Sequence, residues 1–249
     1  MKIENKYFQN KFVLVTGSSS GIGYQIAKDF LLLGAKVGVH YNKNSKGAKK
    51  LSSINKKNCK LFKADFSKSG EVTKLWKDYI KWTSGKISIL INNAGYAKSF
   101  NFNNLTSAEW DKCFAINVKS AFILSKLAMK IMSKNRGGRI INISSGGWLY
   151  GGGESTVHYS ASKAALEGLT KATAKIGANK NILVNTLRPG ATKTDFHKKM
   201  GRKNLNKRAK LVPLKRMADP SEISNAVIFL SSGQSKFITN SVIDVRGGE

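Results

Sequence analysis

A short apolar run, Phe12-Val13-Leu14-Val15, ends in Thr16-Gly17-Ser18-Ser19-Ser20-Gly21-Ile22-Gly23, after which Ile26, Ala27, Phe30 and Leu31 recur at helical spacing. That is a strand, a glycine turn and a helix. Glycines at such a turn let the main chain approach a pyrophosphate closely. The helix that follows offers unbonded N–H groups and the positive end of its dipole to an anion. The spacing is Gly-x-x-x-Gly-x-Gly, which differs from the Gly-x-Gly-x-x-Gly of the usual dinucleotide fingerprint. Gly17, Ser19, Ser20, Gly21, Ile22 and Gly23 are therefore candidate binding residues.

The alternation continues. Residues 36–40 read as a second strand and 59–63 as a third. A helix over 70–82 follows, with Val72, Leu75, Trp76 and Tyr79 apolar, and residues 87–91 form a fully apolar fourth strand. Pro220-Ser221-Glu222-Ile223 opens a later helix, with proline in its first turn, and 241–245 makes a last strand. A chain of 249 residues with 41% hydrophobic content can bury a large core. The pattern predicts one α/β domain over residues 1–249: a Rossmann-type, doubly wound parallel sheet of about seven strands with helices on both faces. No apolar run approaches the ~18 residues of a membrane span, and Met1 to Lys11 holds no apolar signal core, so a cytoplasmic protein with no membrane partner is expected. Cys59 and Cys113 stand far apart, outside any CxxC or His-rich pattern, and read as core thiols with no metal site.

The net charge of +29 has two readings. An excess of this size attracts polyanions such as nucleic acid, anionic lipid or an acidic protein. The lysines are nevertheless scattered over nearly every exposed face, as a general compositional bias would leave them.

The end of the second strand is where an acidic residue usually meets the adenosine ribose of NAD. Here no Asp or Glu occurs between Asp29 and Asp65, and the window holds His40, Tyr41, Asn42, Lys43, Ser45 and Lys46. A cationic, hydrogen-bonding pocket suits a 2′-phosphate and favours NADP(H). Further on, Tyr159 and Lys163 lie four residues apart on a helical pattern and share a face. A neighbouring ammonium favours the phenolate, which suits Tyr159 to acid/base work near neutral pH with Lys163 as its tuner.

Taken in order, Thr16-Gly17-x-x-x-Gly21-Ile22-Gly23, Asp65, Asn92-Asn93-Ala94-Gly95 and Tyr159-x-x-x-Lys163 resemble the short-chain dehydrogenase/reductase family, from about Phe12 to the C-terminus. The resemblance implies further roles. Asn117 matches the helix asparagine that holds a relay water toward the lysine. Ser145 matches the serine that hydrogen-bonds the substrate carbonyl, with Ser144 as the competing choice. Asp65 and Phe66 would lie at the adenine, Asn93, Ala94 and Gly95 along the cofactor, Pro189, Gly190 and Thr192 beside the nicotinamide, and Lys163 on the ribose hydroxyls.

A substrate loop is expected over about 191–217. It holds nine basic residues between Phe196 and Met217 (Lys198, Lys199, Arg202, Lys203, Lys207, Arg208, Lys210, Lys215, Arg216) and no acidic one, which either favours an anionic substrate or restates the compositional bias. The three histidines do not cluster. His158 should point away from the site, and His40 and His197 read as loop residues. The family's relatives pair into tetramers, so a homotetramer is expected. A 3-oxoacyl-(acyl-carrier-protein) reductase is the first functional expectation, with Arg136 and Lys180 matching residues that dock the acidic carrier near the active-site mouth. A sugar, polyol or other small-alcohol dehydrogenase is the second. A dinucleotide-sensing, nucleic-acid-binding protein is a third, disfavoured by the intact Asn117, Ser145, Tyr159 and Lys163 set.

Overall fold

Strands that lie parallel and carry helices on both faces must be buried on both sides, and the central strands here are. A computed structural model describes residues 6–200 and 204–249, without the side chains of Lys198 and Lys199. Its seven strands are β1 (Phe12–Val15), β2 (Lys36–Tyr41), β3 (Cys59–Lys63), β4 (Ile89–Asn92), β5 (Gly138–Ile143), β6 (Ile182–Pro189) and β7 (Val242–Val245). They pair in parallel in the order β3-β2-β1-β4-β5-β6-β7. The helices are α1 (Gly21–Leu32), α2 (Ser45–Ile54), α3 (Ser69–Trp82), α4 (Ser107–Phe114), α5 (Ser120–Met132), α6 (Val157–Ala178), α7 (Phe196–Lys199), α8 (Leu205–Leu211) and α9 (Pro220–Ser231). The third strand has the expected bounds. The fourth begins at Ile89, two residues later than the apolar run suggests, because Ile87 and Ser88 serve as its lead-in.

Alternation along the strands divides the core. Val13, Val15, Val37, Val39, Ile89, Ile91, Ile141 and Leu187 face α1, α2 and α9, while Leu14, Leu90, Ile140 and Val184 face α3, α5 and α6. Gly38 on β2 is demanded by this second layer, since a Cβ there would stand 2.7 Å from the Tyr79 ring. The chain order reverses between β1 and β4, and a crevice is expected at the carboxyl ends of the strands at that switch point. Both cysteines are buried and free. Among the described residues no helix is long and apolar enough to cross a membrane, and no group of His, Cys, Asp and Glu could hold a metal ion.

Candidate active site

The glycine turn is built by close approach. Gly17 and Gly21 have φ of +62° and +58°, and a Cβ on Gly17 would lie 2.8 Å from Ala94 Cα. At Gly23 it would lie 2.3 Å from Asn93 Nδ2, so no larger residue fits. Asn93 Nδ2 donates to the carbonyls of Thr16 (2.9 Å) and Gly17 (3.1 Å), and Thr16 Oγ1 accepts from the N–H groups of Asn93 and Ala94, both at 2.9 Å. The loops after β1 and β4 are thereby locked together. Ser20 precedes α1 without capping it through its side chain, and the first turn holds no acidic residue. The helix N-terminus is thus left to an external anion. The same turn is braced from α2: Asn44 caps that helix at Gly47 N (3.0 Å) and donates to Ser19 O (2.8 Å). Asn44 was not among the sequence candidates, although an Asn before a helix is a recognisable cap.

His40 corrects two expectations. It is buried on β2 rather than in a loop, its Nδ1 accepting from Gly17 N at 2.9 Å and its Nε2 donating to Ala64 O at 3.1 Å, with its ring stacked 3.8 Å from that of Phe66. Burial pulls its pKa down to about 4. It is a neutral brace for the glycine turn and brings no charge to a 2′-phosphate. Ser45 and Lys46 begin α2 and do not line the crevice, which leaves Lys43 as the cation at that end. Asp65 also lies there, its carboxyl held below the ordinary range by hydrogen bonds from the Ser67 N–H and hydroxyl.

Gly17, Ser19 to Gly23, Tyr41 to Lys43, Asp65, Phe66, Asn93 to Gly95, Ser145, Tyr159, Lys163, Pro189, Gly190 and Thr192 line one cleft of about 940 Å³. Asn117 stands behind it. Lys163 is buried, donates to Ile143 O at 2.7 Å and lies 5.7 Å from the Tyr159 ring centre. Burial lowers its pKa to about 8, so the ammonium persists at neutral pH. Asn117 sits in a π-helical turn, Ala115–Lys119, between α4 and α5. Its amide accepts from Tyr96 N (2.7 Å) and donates to Tyr96 O (3.0 Å) and Ser162 Oγ (2.8 Å), and Ser162 in turn donates to Tyr159 O (2.7 Å). The side chain fixes the Tyr96 loop and the first turns of α6.

The two serines differ. Ser144 is buried and donates to Glu167 Oε1 at 2.7 Å, while Ser145 is half-buried in the cleft and accepts from Gly147 N at 3.2 Å. Glu167, one turn beyond Lys163, was invisible in the sequence. It also accepts from Trp148 Nε1 (2.7 Å) and from Arg188 through both oxygens (2.8 and 2.6 Å). Burial would raise its pKa, but the bonds from Arg188, Trp148 and Ser144 outweigh this and hold it low. The ion pair fastens β6 to α6, and the Ser144 hydroxyl ties the end of β5 to the same carboxylate.

Among the described residues, the basic loop contributes little free charge to the cleft. Arg202 and Lys203 lie outside the described residues, as do the side chains of Lys198 and Lys199. Lys207, Lys210 and Lys215 are exposed, Arg216 pairs with Glu222 at 2.6 and 2.7 Å, and Arg208, which does line the cleft, pairs with Glu249. His197 is buried on α7 rather than in a loop, and Phe196 beside it lies 5.7 Å from the Tyr159 ring. His158 is buried, facing Phe100. Arg136 and Lys180 sit in the turns before β5 and β6, at the end of the sheet opposite the cleft, because each six- to eight-residue strand carries the chain ~20 Å or more before it reaches the site. They are not at the mouth of their own subunit's cleft.

A family model described as Enoyl-(Acyl carrier protein) reductase matches residues 17–249. A 3-oxoacyl-(acyl-carrier-protein) reductase of Chlamydia muridarum is 36% identical over 98% of this chain and 99% of its own. A 3alpha-hydroxysteroid dehydrogenase of Mediterraneibacter gnavus is 34% identical over 96% of both. A solved structure titled short chain dehydrogenase/reductase family protein superimposes with a TM-score of 0.86, at 30% identity over 97% of this chain and 98% of that one.

Proposed function

The chain belongs to the short-chain dehydrogenase/reductase family of oxidoreductases, and on that premise we propose that it reduces a ketone, foremost a 3-oxoacyl thioester on acyl carrier protein, at the expense of NADPH. The observation that carries the reading is that Tyr159, Lys163 and Ser145 meet the glycine turn in one continuous cleft. The residues fit a nicotinamide dinucleotide: the uncapped N-terminus of α1 suits a pyrophosphate, and a Cβ at Gly17 or Gly23 would collide with the Asn93-Ala94 wall that closes the site. When bound, the dinucleotide supplies the hydride. Tyr159 gives the proton to the carbonyl oxygen, helped by the Lys163 ammonium, and Ser145 hydrogen-bonds that oxygen as charge builds on it. Asn117 and Glu167 act by position, the first on the start of α6, the second on the serine strand. Lys43, with no carboxylate at the end of β2, supports NADPH over NADH.

An acidic carrier that grips Arg136 and Lys180 reaches a cleft only across a contact between subunits, so the carrier and homotetramer readings stand or fall together. The Arg208–Glu249 pair supports a second reading, reduction of an uncharged small ketone, because it leaves the cleft without a free cation from α8. NADPH oxidation is followed with an acetoacetyl thioester on acyl carrier protein and on a pantetheine mimic, at low and moderate salt. Faster, salt-sensitive turnover on the carrier supports the first reading. No turnover with either, beside retained NADPH binding, transfers the assignment to the second.

A further inference from the structure

At the amino-terminal end of the sheet, opposite the cleft, the starts of β1, β2, β4 and β5 and the end of α9 enclose a second cavity of about 780 Å³. Lys11, Lys36, Lys86, Arg136, Arg139 and Lys236 line it, and among the described residues no carboxylate does. None of the six forms an ion pair among the described residues. Lys36 and Lys86 flank the Phe12 ring at 5.3 and 5.8 Å, and Lys11 lies over Tyr7 at 5.2 Å. Helices end at this face, and cations at helix C-termini are favourable. That accounts for exposed Arg136 but not for Arg139, which lies within β5 and is only 9% exposed.

Arg139 spends one N–H on the carbonyl of its own neighbour Gly138 (3.1 Å), and its Nε has no partner. Ser231, 1% exposed at the end of α9, lines the same cavity, and its hydroxyl also has no partner. Buried guanidinium and hydroxyl donors are costly to leave unbonded. Here two residues that carry such donors, from separate elements, line one cavity rimmed by five further cations. The turn before β5 belongs to the same lining: Arg136 and Gly137 have φ of +61° and +113°, and a Cβ on Gly137 would stand 2.3 Å from Asn181 O.

We propose that this cavity is a second binding site, for a phosphate-bearing anion held by Arg139 and Ser231 and neutralised by the rim lysines. Planar guanidinium donors match phosphate oxygens, and a rim of this charge suits a multiply charged anion better than a single carboxylate. The volume admits a small organic phosphate as well as an inorganic one. The inference is independent of the reaction proposed above.

The test is calorimetric titration of the full chain with inorganic pyrophosphate, and separately with glucose 6-phosphate, while NADPH or NADH saturates the cleft. One site per chain is expected, weakened at least ~10-fold by Arg139→Gln, as loss of a charge-assisted hydrogen bond implies. Should Arg139→Gln fail to fold, the exposed Lys86→Glu with the half-exposed Lys36→Glu carries the test. Lys74→Glu with Lys77→Glu on α3 is the control of equal charge. Tighter binding of pyrophosphate identifies a free inorganic ligand and tighter binding of the sugar phosphate an esterified one, and either supports the site. Absence of saturable binding, or equal weakening by the rim pair and the α3 pair, overturns it.

Discussion

The two ends of the sheet handle charge in opposite ways. At the carboxyl end, the arginines named above are matched, with Arg188 clamped by Glu167, Arg208 by Glu249 and Arg216 by Glu222, while Lys163 is buried against the Ile143 carbonyl and Lys43 stands apart at the far end of the cleft. At the amino end, six cations line a cavity with no carboxylate among the described residues. The carboxyl end spends its few acids where geometry has to be held. Because the chain has only 14 Asp and Glu against 43 Lys and Arg, the other end goes without. Net charge therefore says little about where a basic chain is functionally basic.

The comparison is broken or sharpened by graded changes. Removing the phenol hydroxyl with Tyr159→Phe should cut ketone reduction by ~10²–10⁴-fold while dinucleotide binding, read by fluorescence titration, stays nearly intact. Retained turnover would remove Tyr159 from the chemistry. Glu167→Ala leaves Arg188 without its main buried partner and should cost ~3–5 kcal/mol in urea unfolding; a loss below 1 kcal/mol would mean the carboxyl end is no more dependent on pairing than the amino end.

Lys163 gives a pH signature. Its pKa is depressed to about 8 from 10.5, so between those values the unfolded chain holds more proton than the folded one, and this group makes stability rise with pH. Over the same range the folded enzyme loses its ammonium. The kcat/KM for reduction should therefore fall above about pH 8 as the fold itself tightens, and a flat alkaline limb contradicts the role assigned to Lys163. Lys43→Glu should shift the NADPH over NADH preference by ~10-fold, the scale of one charge-assisted contact; an unchanged ratio places phosphate recognition elsewhere. The smallest effect belongs to the amino end. Lys36→Ala and Lys86→Ala should change stability by no more than ~0.5 kcal/mol, toward stabilisation, and the gain should shrink with salt. A loss above 1 kcal/mol would show that the lysines there pack rather than repel.

Much of the cleft was legible because its parts are local. A glycine turn between strand and helix, a Tyr and a Lys one turn apart, and small residues after an apolar strand each carry a signature within a few residues. His40, Glu167 and Arg139 carry none. Each is a polar residue whose meaning lies in a partner 20 or more residues away, or, for Arg139, in a buried Nε that has none. His40 looked like part of a phosphate pocket because it stands at the end of a strand in a basic window, and burial made it a neutral brace. Arg136 and Lys180 looked like neighbours of the site, and the parallel sheet carried them to its other end.

By itself the sequence determined the alternation of strands and helices, the two-sided apolar core and the glycine turn, since these follow from periodicity and from backbone conformations that only certain residues adopt. The tertiary structure alone decided which charges are compensated, which serine is bonded to Glu167 and where the unpartnered cations gather. Those depend on distances between segments remote in sequence and on the loss of water around them, and neither is written in any single stretch of the chain.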